Sequence, residues 1–430
     1  MRRTDTILAV PPHEPANPMP SSAASDAHAT ASPERMFTNA VDLDGRALEL
    51  AVRDGRLVEV GRASAPAGGV EVVDLGGRLV LPGFVDGHIH LDKSFVGDRW
   101  RPHEAADSLR GRLAIEKRQL AQARPIVERA QALIAQAAAF GTIAMRCHVD
   151  VDATTGLAHL HAVMQAREQW RGIVDIELVA FPQAGVVSCA GTADVLDAAI
   201  REGADVIGGI DPDTLDGDAE AQLDIVFGIA ERRGVKVDIH LHEPGLQGIA
   251  QLLRIAERTR VLGMAGRVAV SHAYALGEVA PDVVERTAQA LARAGVSIMT
   301  NAPGDRAFPP VLRLRAAGVR VFAGNDNIRD AWWPYGNGDM LQRAMLVGYR
   351  SGFNTDAELK IALDMATGAG AAVLGLQGYG LEPGNEATFV VLDAPAGAAA
   401  VAEGAGARVV VRRGEVAAAD RRRFADPRRP

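Results

Sequence analysis

The chain is 430 residues long, with 48% hydrophobic and 23% charged residues, enough to bury a core of ordinary globular size. A net charge of −8 argues against a face that binds nucleic acid or another polyanion. Two cysteines, Cys147 and Cys189, exclude a disulfide scaffold and a four-cysteine zinc site, and the expected compartment is a reducing cytoplasm.

Residues 1–35 are rich in Pro, Ser and Ala and show no apolar period, the texture of a disordered leader. Arg2-Arg3 hints at export, but the apolar stretch Ile7 to Val10 that follows is too short for a signal and Pro11-Pro12 ends it. No apolar run reaches the roughly 18–20 residues of a membrane span, so no membrane partner is expected. From Met36 onward, short β-like runs are expected at Ala47-Leu50, Leu57-Val60, Val70-Val73 and Arg78-Leu81. Asp54-Gly55 and Gly76-Gly77 read as turns between them.

The body alternates short apolar strands with longer helical patterns. The strands are expected at Gly83-Leu91, Thr142-Val149, Asp175-Ala180, Ala204-Gly208, Lys236-Leu241, Val268-Ser271, Ser297-Thr300 and Arg320-Ala323. Helical segments lie between them, for example Ala105-Ala139 and Gln247-Leu262. Eight β–α alternations predict a closed (β/α)8 TIM barrel over 82–384. Strand texture returns at Ala387-Leu392, Arg408-Val411 and Gly414-Val416. Residues 36–81 and 385–430 are therefore expected to form one small β-sandwich domain from both chain ends. The fold class is α/β.

A barrel places its site at the C-terminal ends of its strands, and polar residues gather there. His88 and His90 stand at i, i+2 at the end of the first strand, on one face of it. His148 ends the second strand, and Gln183 follows the third. His240 and Glu243 end the fifth, His272 the sixth, and Asp326 follows the eighth. Asn301-Ala-Pro-Gly304 after the seventh strand is a pocket turn or simply a turn. Imidazoles with one carboxylate suit one divalent metal ion, Zn2+ or Fe2+. His159-Leu-His161 is a second H-x-H pair, but it falls in the helical segment Gly156-Trp170. There the two side chains diverge, so they read as surface or packing residues.

The run Leu81-Pro-Gly-Phe-Val-Asp-Gly-His-Ile-His-Leu-Asp92 resembles the first-strand signature of the amidohydrolase superfamily, in its cytosine deaminase-like branch. Further matches follow in the same order over about 36–420: His148-Val-Asp-Val, Ala180-Phe-Pro-Gln183, Gly203-Ala-Asp-Val, His240-x-x-Glu243, Ser271-His272, Gly324-x-Asp326 and Asp330-Ala-Trp-Trp-Pro-Tyr-Gly336. The resemblance implies His88, His90, His240 and Asp326 as metal ligands. Related enzymes with two metals bridge them by a lysine on the fourth strand. This chain has no lysine between Lys117 and Lys236, so a mononuclear site is expected.

In the implied chemistry Asp326 takes the proton of the attacking water, Glu243 protonates a ring nitrogen, His272 steadies the oxyanion, and Gln183 reads an amide-like ring edge. Lys93 stands where cytosine deaminases have a small hydroxyl residue. It suits a substrate carbonyl or carboxylate, or an ion pair with Asp92 or Asp150. His242 shares a strand face with His240 and competes with it as ligand; the family's spacing to Glu243 favours His240. Asn327 replaces a second Asp beside the ring. Trp332, with Asp330, Trp333 and Tyr335, is a pocket wall or rim packing, and His148 is grouped with the substrate contacts.

The leading expectation is a metal-dependent deaminase that releases ammonia from a small cyclic amidine such as cytosine or a creatinine-like ring. The alternative is an N-alkylamine hydrolase of hydroxylated s-triazines, a branch that shares the pattern His90-Leu-Asp-Lys-Ser94; a cyclic amidase ranks third. A metal-free scaffold is disfavoured because every ligand is present. The partner is a small heterocycle, and the resemblance implies a homo-oligomer.

Overall fold

A computed structural model describes residues 34–62, 69–404, 406 and 408–419. The leader expected over 1–35 lies almost wholly outside them. The first four strands are β1 (Arg35–Val41), β2 (Ala47–Arg53), β3 (Arg56–Gly61) and β4 (Glu71–Pro82). The barrel strands are β5 (Phe84–Ile89), β6 (Thr142–Asp150), β7 (Asp175–Phe181), β8 (Val206–Ile210), β9 (Lys236–Leu241), β10 (Val268–His272), β11 (Val296–Thr300) and β12 (Val321–Ala323). Three more follow: β13 (Phe389–Leu392), β14 (Arg408–Arg412) and β15 (Glu415–Ala419).

Strands β5 to β12 form one all-parallel sheet in sequence order. It curls until its last strand meets its first: the Asp326 amide donates to the His88 carbonyl at 2.7 Å, and Ile89 and Asp326 form a parallel bridge. The barrel therefore closes through residues that the sequence places in the site. Gly324 makes this closure possible, because a Cβ there would sit 2.5 Å from His88 Cβ. The strands are largely buried on both faces; β8 and β12 read as continuous apolar runs, whereas β6, β7 and β9 set charged residues and histidines at alternate positions between apolar ones.

Helices cover the outside. Their apolar stripes, including Leu133, Ile134, Leu160, Val163, Leu223, Val226, Leu252 and Ile255, pack with the outward strand residues into one core. The helix Ala219–Arg233 shows the local logic. Asp218 caps its start by accepting from the Ala221 amide, and Gly234 ends it in the left-handed conformation (φ 71°), turning the chain into β9.

The chain ends build a separate seven-stranded mixed sheet in the order β15-β14-β13-β4-β1-β2-β3. Its own core holds Phe37, Leu50, Leu57, Val80, Phe389 and Val411, with the Phe37 and Phe389 rings edge-on at 5.0 Å. Two expectations change. Gly76-Gly77 is no turn: both glycines have positive φ inside the single strand β4, beside a register slip against β1, as in a bulge. The segment Ala105-Ala139 is two helices, Leu109–Leu120 and Ile126–Ala139, because Pro125 cannot continue the first. Among the described residues, no helix is long and apolar enough to cross a membrane.

Candidate active site

Five non-glycine residues at the ends of barrel strands have positive φ: Asp211 after β8 (34°), His272 and Ala273 at the end of β10 (74° and 46°), Ala302 after β11 (49°) and Asp326 after β12 (61°). Each such residue costs on the order of 1–3 kcal/mol, and strain of this kind concentrates at functional sites. All five lie at the C-terminal mouth of the barrel.

His88 Nε2 and His90 Nε2 are 3.4 Å apart, and Asp326 Oδ1 lies 3.5 Å from the first and 3.3 Å from the second. His88, His90 and His240 bring one nitrogen each within 4.8 Å of one another, and one ligand atom each of His88, His272 and Asp326 is grouped as closely. His240 is buried, and neither of its ring nitrogens has a hydrogen-bond partner. Buried polar atoms are rarely left so, and a cation held by His88, His90, His240 and Asp326 would use one of the two. Burial lowers the basicity of His90, to about 4, and of His240 well below the ordinary value, so both are neutral and free to ligate. For Asp326, burial is outweighed by His272 and the flanking imidazoles, and its carboxylate stays ionised. Asp238 is a poorer ligand. Arg146 Nη1 at 2.8 Å and Ser271 Oγ at 2.7 Å already occupy its two oxygens. The fourth strand, β8, carries no lysine.

The supporting residues are not marked in the sequence. Asn301 Nδ2 donates to Asp326 Oδ2 at 2.7 Å. Asp86 accepts from the Asn325 amide (3.0 Å) and Asn325 Nδ2 (2.7 Å), which ties the first strand to the loop bearing Asp326. Buried Arg343 donates to the carbonyls of Asn301 and Asn325. His148 lies inside the imidazole cluster, stacked on His88 with centroids 3.7 Å apart, and its nitrogens are unpartnered.

Glu243 is buried, not a surface acid. Its Oε1 accepts the Asp213 and Thr214 amides, both at 2.7 Å, while Oε2 has no partner. Burial outweighs those two bonds and raises its pKa. Such a carboxyl has one oxygen anchored and the other available to carry a proton. His272 Nδ1 lies 3.2 Å from the Tyr274 hydroxyl. With Nδ1 accepting that proton, Nε2 carries the hydrogen and acts as a donor. His242 turns away from a ligand role. Asp211 holds it twice, at the amide (2.6 Å) and at Nδ1 (2.8 Å), and its ring stacks on His272 at 4.6 Å.

On the other side of His240, Phe181 stacks on its ring at 4.0 Å, and the Lys93 ammonium lies over Phe181 at 5.3 Å and Trp332 at 5.7 Å. Lys93 donates to Gln183 Oε1 at 2.5 Å and lies 2.9 Å from Asp150 and 3.8 Å from Glu116. The Trp332 indole N–H also donates to Glu116. Burial of Lys93 is outweighed by these acids, so it stays charged. Burial pushes Asp150 up to about 8 in spite of Lys93. The helical reading of His159 holds, yet its Nδ1 lies 2.9 Å from Asp92 Oδ2, which makes it part of this network; His161 pairs with exposed Glu202. Asn327 Nδ2 donates to Asp330 Oδ2 at 2.6 Å, and Asp330 Oδ1 accepts the Trp332 and Trp333 amides, so Asp330 shapes this rim loop. Tyr335 is exposed.

A barrel whose mouth gathers imidazoles, one aspartate and a half-anchored glutamate is the architecture of a hydrolase. Residues 71–418 match the Amidohydrolase family, and the chain belongs to it. It is 32% identical over 358 residues to the N-isopropylammelide isopropyl amidohydrolase of Pseudomonas sp. (strain ADP), covering 81% of this chain and 88% of that protein. The crystal structure of N-isopropylammelide isopropylaminohydrolase from Burkholderia multivorans ATCC 17616 superposes with a TM-score of 0.86 at 39% identity, over 90% of this chain and 98% of that one. The 5-methylcytosine deaminase from Klebsiella pneumoniae liganded with 5-fluorocytosine gives 0.80 at 27% identity, over 89% and 97%.

Proposed function

We propose that this protein is a metal-dependent hydrolase that replaces an exocyclic amine on a small oxo-substituted nitrogen heterocycle by oxygen. The observation that carries the reading is the pairing of a ligand-ready cluster, His88, His90, His240 and Asp326, with buried Glu243, whose Oε2 is free. A divalent ion in that cluster, Zn2+ or Fe2+, would lower the pKa of water and make hydroxide available at neutral pH. Asp326 accepts the proton released by the attacking water. Glu243 delivers a proton to the ring nitrogen next to the carbon under attack. His272, donating through Nε2, steadies the negative charge that builds on the new oxygen. The C–N bond then breaks, and the amine leaves with a proton.

The released amine distinguishes two readings. Lys93 and Gln183 together present a cation and an amide to one ring edge, which suits a ring that carries oxygens with anionic character, as hydroxylated s-triazines do. This edge, and similarity to two proteins named for N-isopropylammelide, favour alkylamine release from such a triazine. Ammonia release from a cytosine-type ring is the second reading, favoured by the likeness to 5-methylcytosine deaminase. The test is product analysis of zinc- or iron-loaded protein offered N-alkyl hydroxytriazines and aminopyrimidinones. Alkylamine from the triazines is the expected result. Ammonia from the pyrimidinones moves the substrate to the second reading, and the absence of both products overturns the proposal. We further propose that the protein acts in the cytoplasm as a homo-oligomer.

A further inference from the structure

Barrel interiors are ordinarily filled by layers of branched aliphatic side chains. Here part of the interior beneath the imidazoles is charged, across β6, β7 and β9. Arg146 of β6 and Asp238 of β9 are completely buried and meet at 2.8 Å. Below them Arg146 Nε donates to Glu177 of β7 at 2.7 Å, and Lys236 at the start of β9 pairs with the same glutamate. Above them Ser271 of β10 donates its hydroxyl to Asp238 Oδ1 at 2.7 Å, and His88 Nδ1 lies 2.9 Å from Ser271 Oγ. A continuous chain thus runs from the foot of the barrel to His88, and each residue in it comes from a different strand except Asp238 and Lys236.

The hydrogen positions follow from chemistry. Asp238, paired with Arg146, offers acceptors only, so the Ser271 hydroxyl hydrogen points at it. Ser271 Oγ can then only accept from His88, which places the hydrogen of His88 on Nδ1. The Nε2 lone pair is left facing His90 Nε2 and Asp326 Oδ1. We propose that Ser271 and Asp238, with Arg146 behind them, are positioning residues that hold His88 in the Nδ1–H tautomer and so prepare it to bind the metal. Outer partners of this kind are worth roughly 10–100-fold in metal affinity. They act through His88 and touch no substrate.

The inference rests on the reading of His88 as a metal ligand. Zinc binding by the wild-type protein tests that reading, while the His88 tautomer in metal-stripped protein tests the relay without any metal. In ¹⁵N-histidine NMR of the metal-stripped wild type, His88 is expected to carry its hydrogen on Nδ1; a hydrogen on Nε2 overturns the proposal. Ser271→Ala removes only a hydroxyl from a buried position. It is expected to give His88 a substantial Nε2–H population and to weaken zinc binding, read by competition with a chelator, about 10–100-fold. Ser271→Thr keeps the hydroxyl and is expected to restore the wild-type tautomer. An unchanged tautomer or an unchanged zinc affinity in Ser271→Ala overturns the relay.

Discussion

The two walls of the barrel mouth meet at the stacked pair His240 and Phe181, and they solve the problem of buried polarity in opposite ways. On the imidazole side, His90, His148, His240 and His272 are all pushed toward neutrality by burial. His148 and His240 have no hydrogen-bond partners, and Glu243 keeps one oxygen free. On the lysine side, Lys93 is surrounded by Asp150, Glu116, Asp92 and Gln183, and His159 is paired with Asp92. The first wall is incomplete without a ligand. The second is largely satisfied within the protein and offers a fixed charge. In the proposed reaction, chemistry falls to the wall with unmet bonding, and ring selection to the wall with a settled electrostatic pattern.

The sharpest way to break this contrast is to remove the carboxylate that lies against both His88 and His90. Asp326→Ala is expected to lose bound metal, measured by elemental analysis, and to lose turnover by several orders of magnitude. Full metal retention would hand the fourth ligand position to another group and dissolve the distinction. Next in size is Glu243→Gln. The amide keeps the shape and can still meet the Asp213 and Thr214 amides, but it delivers no proton. Metal content is expected to be unchanged, and kcat to fall about 10²–10⁴-fold, the usual worth of a positioned general acid. Near-normal turnover would remove Glu243 from the chemistry. The raised pKa of Glu243 also carries a sign: its proton is available at low pH and is lost as pH rises through that value. The limb of kcat/KM that reports this acid is therefore expected to fall on the alkaline side.

The imidazole wall is largely readable from the sequence, and the lysine wall is not. Histidines at strand ends stand out because the strands themselves are legible. Short segments with apolar residues at every or every second position mark them, and the eight expected segments overlap the eight observed ones. What the sequence hides depends on register between distant strands. Arg146 meets Asp238 across 92 positions, and nothing local to either marks the pair. Asn301 reads as a turn residue, and the parallel pairing of β11 with β12 brings it to Asp326. His159 reads as a helical residue, which it is, but its helix packs beside β6 and β7 and its ring meets Asp92 across 67 positions. Gly76-Gly77 carries a turn signal because glycine supplies positive φ to bulges as readily as to turns.

Lys93→Met probes the lysine wall. The change preserves length but leaves Asp150, Glu116 and Asp92 around an apolar side chain. Breaking a buried pair in this way typically costs about 3–5 kcal/mol, so a clear loss of unfolding stability is expected. In whatever protein remains folded, KM for an oxo-substituted ring is expected to rise more than kcat falls, because the lost contact belongs to binding. An equal fall in kcat with KM unchanged would move Lys93 into the transition state and merge the two walls.

The smallest effect separates the rim of the lysine wall from the rest. Burial pushes the Asp330 carboxyl up to about 7, outweighing its bonds from Asn327 and the Trp333 and Trp332 amides. A carboxyl whose folded pKa is raised contributes its stability in full below the unfolded value, near 3.8, and loses it as pH rises through about 7. Each tenfold difference in proton affinity between the folded and unfolded chain is worth about 1.4 kcal/mol, so the wild type is expected to lose on the order of 2–4 kcal/mol from this group between pH 4 and pH 8. Asp330→Asn removes the titration while its side-chain oxygen can still accept the Trp332 and Trp333 amides. Its unfolding stability, followed by denaturant titration at several pH values, is expected to be flatter than that of the wild type over this window. An identical pH profile in the two proteins would show that the Trp332 loop is held without cost, and that the strain of burying acid is confined to the acids around Lys93.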